Sequence, residues 1–234
     1  MQALDAQVDQ LRHQRTHLPE LADITALTQS RGELVDQMRD AQIVVDDLTA
    51  AQVKADADVE SVRTRRTRDR DRMDSGQISN PKDLERMQHE LVSLDRRIAT
   101  LEDEEMEVME QLEEAQTRLT VLTGQVQEAE ARLAELSTAR DEKAAAIDAE
   151  LAEVVAKRAP ALEGMPEDLL ALYERLRTTK GGVGAAELRQ RRCTGCQLTI
   201  DNAELAIIRA KPSNEVVRCE ECTRILVRTG ESGL

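Results

Sequence analysis

Apolar residues recur every three or four positions along most of the 234-residue chain, with polar residues between them. From residue 34 to residue 62 the steps alternate between four and three, which gives the mean period of about 3.5 residues of a coiled coil. This first seam comprises Leu34, Met38, Ala41, Val45, Leu48, Gln52, Ala55, Val59 and Val62. It predicts a long helix that contacts a second helix along its length.

A second and stronger seam runs from residue 84 to residue 136. Its members are Leu84, Met87, Leu91, Leu94, Ile98, Leu101, Glu105, Val108, Leu112, Ala115, Leu119, Leu122, Val126, Ala129, Leu133 and Leu136. Glu105 is its only charged member. The pattern weakens afterwards and ends near Pro160, so the sequence predicts a second, longer helix.

A turn between two such helices predicts an antiparallel hairpin. Residues 75–81 contain Gly, two Ser, Asn and Pro, which favour a turn followed by a capped helix. We therefore predict a hairpin over residues 1–160, with a short helix at 1–15, arms at 20–75 and 82–157, and the turn at 75–81. The short helix has room to dock on the second arm near residues 140–155. The alternatives are an intermolecular coiled coil with an unbroken helix and a homodimer of hairpins.

The four cysteines form two Cys-x-x-Cys pairs near the end of the sequence, Cys193 with Cys196 and Cys219 with Cys222. Two such pairs supply the four thiolates of a closed, structural zinc site, Zn²⁺ being the one cofactor that we expect. The alternatives are two disulfides or four unrelated core thiols. β-Branched stretches beside the pairs predict a β-rich zinc ribbon over residues 185–234. A neck helix with a glycine linker, residues 161–184, precedes it.

Composition supports a mainly α-helical protein with a thin apolar seam, since the chain has no Trp or Phe and one Tyr. The first residues are polar and no apolar run reaches about 18 residues, so the sequence predicts neither a signal peptide nor a membrane span. Thiolate zinc ligands suit a reducing compartment. We expect a cytoplasmic protein.

No residue constellation predicts catalysis, and no phosphate-binding glycine motif is present. We expect a non-enzymatic scaffold or adaptor that binds a protein partner through the ribbon and the coiled coil. The alternative is a regulator that binds RNA or DNA through the ribbon, although the ribbon has no aromatic residue to stack on a base. The candidate contacts for either partner are Arg189, Arg191, Arg192, Arg218 and Arg224.

Charge is unevenly distributed, and the net charge of −14 resides in the helices. Residues 181–234 are near neutral, with eight Lys and Arg against seven Asp and Glu. Six arginines at positions 63–72 mark the hairpin tip, which we interpret as a salt-bridged helix end or a contact patch. Eight acidic residues at positions 102–114 form a belt that we predict to lack basic counter-charges within the hairpin and to face a basic partner.

The chain also resembles the bacterial coiled-coil proteins that carry a C-terminal four-cysteine zinc ribbon, a domain-of-unknown-function family. The resemblance covers nearly the full sequence. It is carried by residues 217–226 around the second cysteine pair, residues 170–176 before the glycines, Asn80-Pro81-Lys82-Asp83-Leu84, and Leu18-Pro19-Glu20-Leu21. It implies a zinc-stabilised ribbon on a helical hairpin. Relatives are linked to flagellar or type III secretion assembly as adaptors, or to RNA binding.

Overall fold

The structure is a computed structural model that describes the whole chain, Met1–Leu234. The helices are α1 (Gln2–Thr16), α2 (Pro19–Asp74), α3 (Pro81–Leu162), α4 (Glu167–Thr179) and α5 (Asn202–Ala210). The strands are β1 (Ala185–Arg189), β2 (Arg192–Cys193), β3 (Val217–Arg218) and β4 (Ile225–Arg228). The mainly α-helical fold with a small β-rich end is therefore confirmed. None of the helices combines the length and apolarity needed to cross a lipid bilayer.

The chain divides into two compact units, which we call the hairpin unit (Ala22–Ser137) and the ribbon unit (Met1–Leu21 with Thr138–Leu234). This division differs from the sequence-based order of hairpin, neck and ribbon. The first helix and the last part of α3 belong to the same unit as the cysteines. The reason is a set of long-range contacts, in which α1 packs on the last part of α3 and also contacts α4 and the start of β1.

In the hairpin unit, both predicted seams face inward. Every member of the first and second seam is buried or half-buried, including Ala41, Val59, Leu101 and Leu112. Glu105 also lies in the seam, where its carboxyl group shares a hydrogen bond with that of Asp56 from the other arm. That bond, burial and the nearby negative charge raise the pKa of Glu105. The antiparallel hairpin that the heptads predict is confirmed.

The arginine-rich tip forms ion pairs across the hairpin, such as Arg65 with Glu90 at 2.6 Å. Arg63 pairs with Glu102, the first residue of the acidic belt. A second belt residue, Glu104, lies 3.9 Å from Arg97 of its own arm. The prediction that the belt lacks counter-charges within the hairpin is therefore wrong for these two glutamates. The register of the two arms brings Arg63 of α2 within reach of the belt.

In the ribbon unit, α1 docks on α3 as predicted. Val8 and Leu11 are buried against Val154, with Ile147 and Leu151 packed around them. A four-stranded sheet of order β2-β1-β4-β3 carries the cysteines, with Cys193 at the end of β2, Cys219 directly after β3 and the other two in the turns that follow. Strands β1 and β4 are parallel, and both outer pairs are antiparallel. One face of this sheet covers a core that contains Leu188, Ile200, Leu205, Ile208 and Leu226.

Helix α5 covers that core and begins at a side-chain cap. The Asp201 carboxylate accepts a hydrogen bond from the backbone N–H of Glu204 at 2.8 Å. Asp is one of the residue types preferred at the start of a helix, because its carboxylate satisfies a backbone N–H of the first turn. Leu205 and Ile208 point from α5 into the core, while Ile207 is exposed.

Candidate metal centre

Both cysteine pairs adopt the same backbone turn. The N–H of Gln197 donates to the carbonyl of Cys193 at 2.8 Å, and the N–H of Thr223 donates to the carbonyl of Cys219 at 2.9 Å. Gln197 and Thr223 each follow the second cysteine of a pair, and both have a left-handed backbone, with φ of 65° and 63°. The turn places the two sulfurs of a pair on one side of the loop.

The four sulfur atoms form a compact cluster. All of them lie within 4.8 Å of one another, with 3.8 Å between Cys193 and Cys222 and 3.9 Å between Cys196 and Cys219. A disulfide requires about 2.05 Å, and all four thiols are free. Four sulfurs at about 2.3 Å from a tetrahedral zinc ion stand roughly 3.8 Å apart. The residues therefore fit a four-thiolate zinc site, with no coordination position left for water or substrate.

Electrostatics show why this cluster favours a cation. Burial raises the pKa of the Cys193 thiol, and it raises the pKa of Cys219 to about 12, although backbone N–H groups point at both sulfurs. Burial opposes ionisation of Cys222 too, but the N–H and guanidinium of Arg224 outweigh it and lower the pKa to about 7. Buried thiolates need a positive charge beside them, and a bound zinc ion would supply it.

Each Cys-x-x-Cys turn is stabilised by an arginine that precedes it. We call the turns the first knuckle (residues 193–196) and the second knuckle (residues 219–222). Arg192 immediately precedes the first pair and donates to the carbonyl of Gln197 at 2.8 Å. Arg218 immediately precedes the second pair and donates to the carbonyl of Thr223 at 2.9 Å. Each arginine thus fixes the left-handed residue that closes its own turn. The repeated Arg-Cys-x-x-Cys of the sequence was the available signal for this role, which sequence reasoning missed.

The other candidate contact arginines also have intramolecular partners. Arg224 donates to the carbonyls of Val183 and Lys180 at 2.9 and 2.8 Å. Arg191 donates to the carbonyl of Gly233 at 3.2 Å, and Arg189 pairs with Glu231 at 2.8 Å. The structure therefore spreads these five arginines over the knuckles, the glycine linker and the C-terminal segment.

Gly195 lies in the first knuckle where a side chain has no room. A Cβ atom there would stand 2.7 Å from Arg224 Cδ and 2.9 Å from the Ala186 side chain. We expect Gly195→Ala to destabilise the ribbon by about 1–3 kcal/mol through overpacking. The measurement is the rate of zinc release to a chromogenic chelator, which should rise. Gly230→Ala is the matched control, because nothing lies within 4 Å of its Cβ position; equal rates in the two variants would contradict the prediction.

A buried polar network joins α1 to α3 and α4. The Asp5 carboxylate is 1% exposed and accepts hydrogen bonds from the Tyr173 hydroxyl at 2.7 Å and Arg158 Nε at 2.8 Å. Arg177 lies 3.9 Å from Asp5 and bonds both Asp9 oxygens at 2.7 Å. No sequence pattern indicates this network, because one acidic residue in an amphipathic helix is ordinarily solvated.

The glycine linker at residues 181–184, which we call the glycine junction, leads directly into β1. The side-chain amide of Gln2 donates to the carbonyl of Gly182 and accepts from the N–H groups of Gly184 and Ala185. Arg224 donates to two further carbonyls of this stretch, those of Lys180 and Val183. Helix α1 thus contacts the polypeptide that enters the ribbon.

An apolar cleft of about 380 Å³ opens beside the outer face of the sheet. Its walls come from the start of α1, from α4 and from β1 and β4. The side chains include Met1, Met165, Leu169, Ile225 and Val227. Val227 is 45% exposed, so the cleft offers apolar surface to solvent. We call it the ribbon cleft.

A helical hairpin joined to a four-cysteine ribbon defines the class: a coiled-coil protein with a zinc-ribbon domain. Residues 1–181 match the CT398-like coiled-coil hairpin domain, and residues 192–226 match the C4-type zinc ribbon domain. The chain belongs to this family, which confirms the resemblance that the sequence motifs indicated.

Relatives align with almost the whole chain. An uncharacterized protein of Mycobacterium tuberculosis (strain H37Rv) is 37% identical over 225 residues, which cover 96% of this chain and 91% of that protein. A solved structure from Mycobacterium smegmatis has 34% identity and a TM-score of 0.82, covering 97% and 94% of the two chains. The structure of CT398 from Chlamydia trachomatis has 19% identity and a TM-score of 0.67, with the same coverage, and shows the shared fold.

Proposed function

We propose that this chain is a non-enzymatic adaptor that binds a protein partner through its ribbon, with the coiled-coil hairpin as a second contact element. The observation that carries this proposal is the ribbon cleft. Its walls are side chains such as Leu169, Ile225 and Val227, which suit an apolar side chain of another protein. Zinc has a structural part in it, since the metal would hold the sheet that forms one wall.

The alternative, RNA or DNA binding by the ribbon, has weaker support. Nucleic-acid affinity depends on arginines and lysines that are free to contact phosphates. The guanidinium groups of Arg192, Arg218 and Arg224 donate instead to backbone carbonyls of the ribbon and its junction. The candidate arginines thus support the fold of the ribbon and have fewer donors for a ligand.

The test is affinity purification of the full-length protein from its native cells. Val227→Asp places a charge in the ribbon cleft, and burial of that unpaired charge should reduce recovery of the partner at least about tenfold. Ile207→Asp is the matched control, because Ile207 is 57% exposed on α5, outside the cleft. Recovery is measured by quantitative mass spectrometry against a tag-only sample.

Two results would contradict the proposal. The first is a partner that both variants lose equally, which would place the contact elsewhere. The second is nuclease-sensitive recovery of RNA or DNA that falls steeply with salt and disappears with Arg189→Ala and Arg191→Ala, two arginines that do not hold a cysteine turn. That result would establish the alternative.

A further inference from the structure

Two shallow clefts with apolar side chains in their walls line one stretch of the hairpin unit. The first has a volume of about 360 Å³, with Met38, Ile43 and Leu119 in its walls. The second has about 590 Å³, with Met106 and Met109 in its walls. Neither belongs to the zinc site or the ribbon cleft.

The two clefts lie on the same side of the hairpin. Gln116 and Met109 line the second cleft, and Thr123 lines the first. These three residues of α3 are spaced seven apart, so they form one stripe beside the seam. From Met106 to Thr123 the stripe extends about 25 Å at 1.5 Å per residue, the length of roughly five helical turns. We call this surface the side groove.

The side groove exposes large apolar side chains where a solvated helix would carry polar ones. Met106 is 59% exposed, Ile43 52% and Met109 47%. Val53 is 64% exposed. It lies two heptads after Arg39, a lining residue of the first cleft, and therefore on the same side of α2. Several large apolar side chains exposed along one side of a helical hairpin are the kind of surface at which proteins interact.

The surroundings of the groove are acidic. Residues 103–121 contain seven Asp and Glu against one Arg, and residues 35–55 contain four against two basic residues. Glu110 and Glu113 line the second cleft, and neither makes an ion pair. The ion pair from Arg63 reaches only as far as Glu102. This part of the belt is therefore left without counter-charges by the hairpin itself.

We propose that the side groove binds an amphipathic, basic helix of a protein partner. The apolar stripe of that helix lies on Ile43, Met106 and Met109, and its Lys and Arg residues face Glu110 and Glu113. The proposal rests on the proposed adaptor function and specifies the chemistry of the partner at the coiled coil. A second copy of this chain fits poorly, because two facing grooves would bring like charges together.

The test uses the full-length protein and a fluorescein-labelled designed peptide of about 18 residues, with leucines on one face and lysines on the other, enough for five turns. A peptide with glutamates in place of the lysines is the charge control. Binding is measured by fluorescence anisotropy over a range of salt concentrations. Sedimentation equilibrium of each protein variant reports its oligomeric state.

We expect Met109→Ser to weaken binding of the lysine peptide by about tenfold or more, since a buried Met side chain contributes at that level. Val121→Ser should leave binding unchanged, because Val121 is also exposed, at 54%, but lies outside the groove. Glu110→Gln with Glu113→Gln should weaken binding mainly at low salt and reduce its salt dependence.

Equal effects of Met109→Ser and Val121→Ser would overturn the proposal, because non-specific charge attraction would then explain binding. A wild-type dimer that Met109→Ser dissociates would overturn it too, with a second copy as the occupant. The Val227→Asp protein should bind the peptide normally. If the Val227→Asp protein binds the peptide normally, the groove proposal stands. If, in addition, no partner recovered from cells depends on the ribbon cleft, the proposed function of the ribbon is wrong.

Discussion

Cys219→Ser is expected to unfold the ribbon while leaving the hairpin helices formed. A structural zinc site with four thiolate ligands contributes its binding free energy to folding, with apparent values of about 10–16 kcal/mol in zinc-finger peptides. The buried cluster around the cysteines has only nine members. A core of this size cannot hold a sheet of such short strands without the metal. No other substitution in the chain should have a larger effect.

The measurement is hydrogen exchange read by mass spectrometry, combined with zinc content by atomic emission. We expect one zinc ion per wild-type chain and slow exchange in β1, β4 and α5. In Cys219→Ser, zinc should fall well below one per chain and these elements should exchange rapidly. Helical circular dichroism should change little, because most helical residues lie in α2 and α3.

Glu220→Gln is the matched control for the cysteine substitution. Glu220 lies between the two ligands of the second knuckle, is exposed and supplies no thiolate. The variant should bind one zinc ion and keep the exchange pattern of the wild type. A Cys219→Ser protein with an intact ribbon would show that the sheet does not depend on a four-thiolate metal site.

The features that sequence predicted best are those with a local or strictly periodic cause. The heptad spacing correctly predicted that every seam residue, including Glu105, faces the other helix. The turn at residues 75–81 followed from its Gly, Ser, Asn and Pro residues, and α2 ends at Asp74 while α3 begins at Pro81. The cysteine spacing gathered four sulfurs within 4.8 Å. In each case a short stretch of sequence contains its own geometric constraint.

The features that sequence could not predict depend on pairs of residues far apart in the chain. Nothing local indicates that Ala185 pairs in parallel with Ile225. The contact between Arg63 and Glu102 depends on the exact register of the arms, which the residues of the turn do not determine by themselves. A guanidinium group likewise gives no sign of whether it will bond a phosphate or a backbone carbonyl. The roles of the ribbon arginines could therefore come only from the structure.

Asp5→Ala is expected to release α1 from the ribbon unit. The substitution removes the acceptor of the Tyr173 hydroxyl and the main counter-charge of Arg158. Breaking a buried ion pair lowers the free energy of unfolding by roughly 3–5 kcal/mol. We expect a smaller loss of about 2–4 kcal/mol for Asp5→Ala, because Arg158 retains Glu174 and Arg177 retains Asp9. The apolar contacts of α1 form only a small cluster around Val8 and Leu11. Without the bonds of Asp5, these contacts should be too few to keep α1 docked.

Acid should have the same effect as the substitution. Burial opposes ionisation of Asp5, but hydrogen bonds from Tyr173 and Arg158 and the charges of Arg158 and Arg177 outweigh it and lower the pKa of Asp5. A carboxyl group whose pKa is lower in the folded state stabilises that state above its unfolded pKa of about 3.9. This contribution is lost as the pH falls from there through the folded-state pKa. Between these two pKa values α1 should detach from the wild-type ribbon unit. In Asp5→Ala, exchange of α1 should not change further over the same pH range.

Hydrogen exchange of α1 and of the glycine junction measures both effects. Asp9→Ala is the matched control, because Asp9 lies on the same helix and bonds the same Arg177, but its side chain is 41% exposed. Asp9→Ala should lower the free energy of unfolding by at most about 1 kcal/mol, as the loss of other exposed ion pairs does. Equal exchange in the two variants would show that burial of Asp5 contributes nothing. Since Gln2 binds the backbone at Gly182 and Gly184, release of α1 should also speed exchange at the start of β1, and so reach the wall of the ribbon cleft.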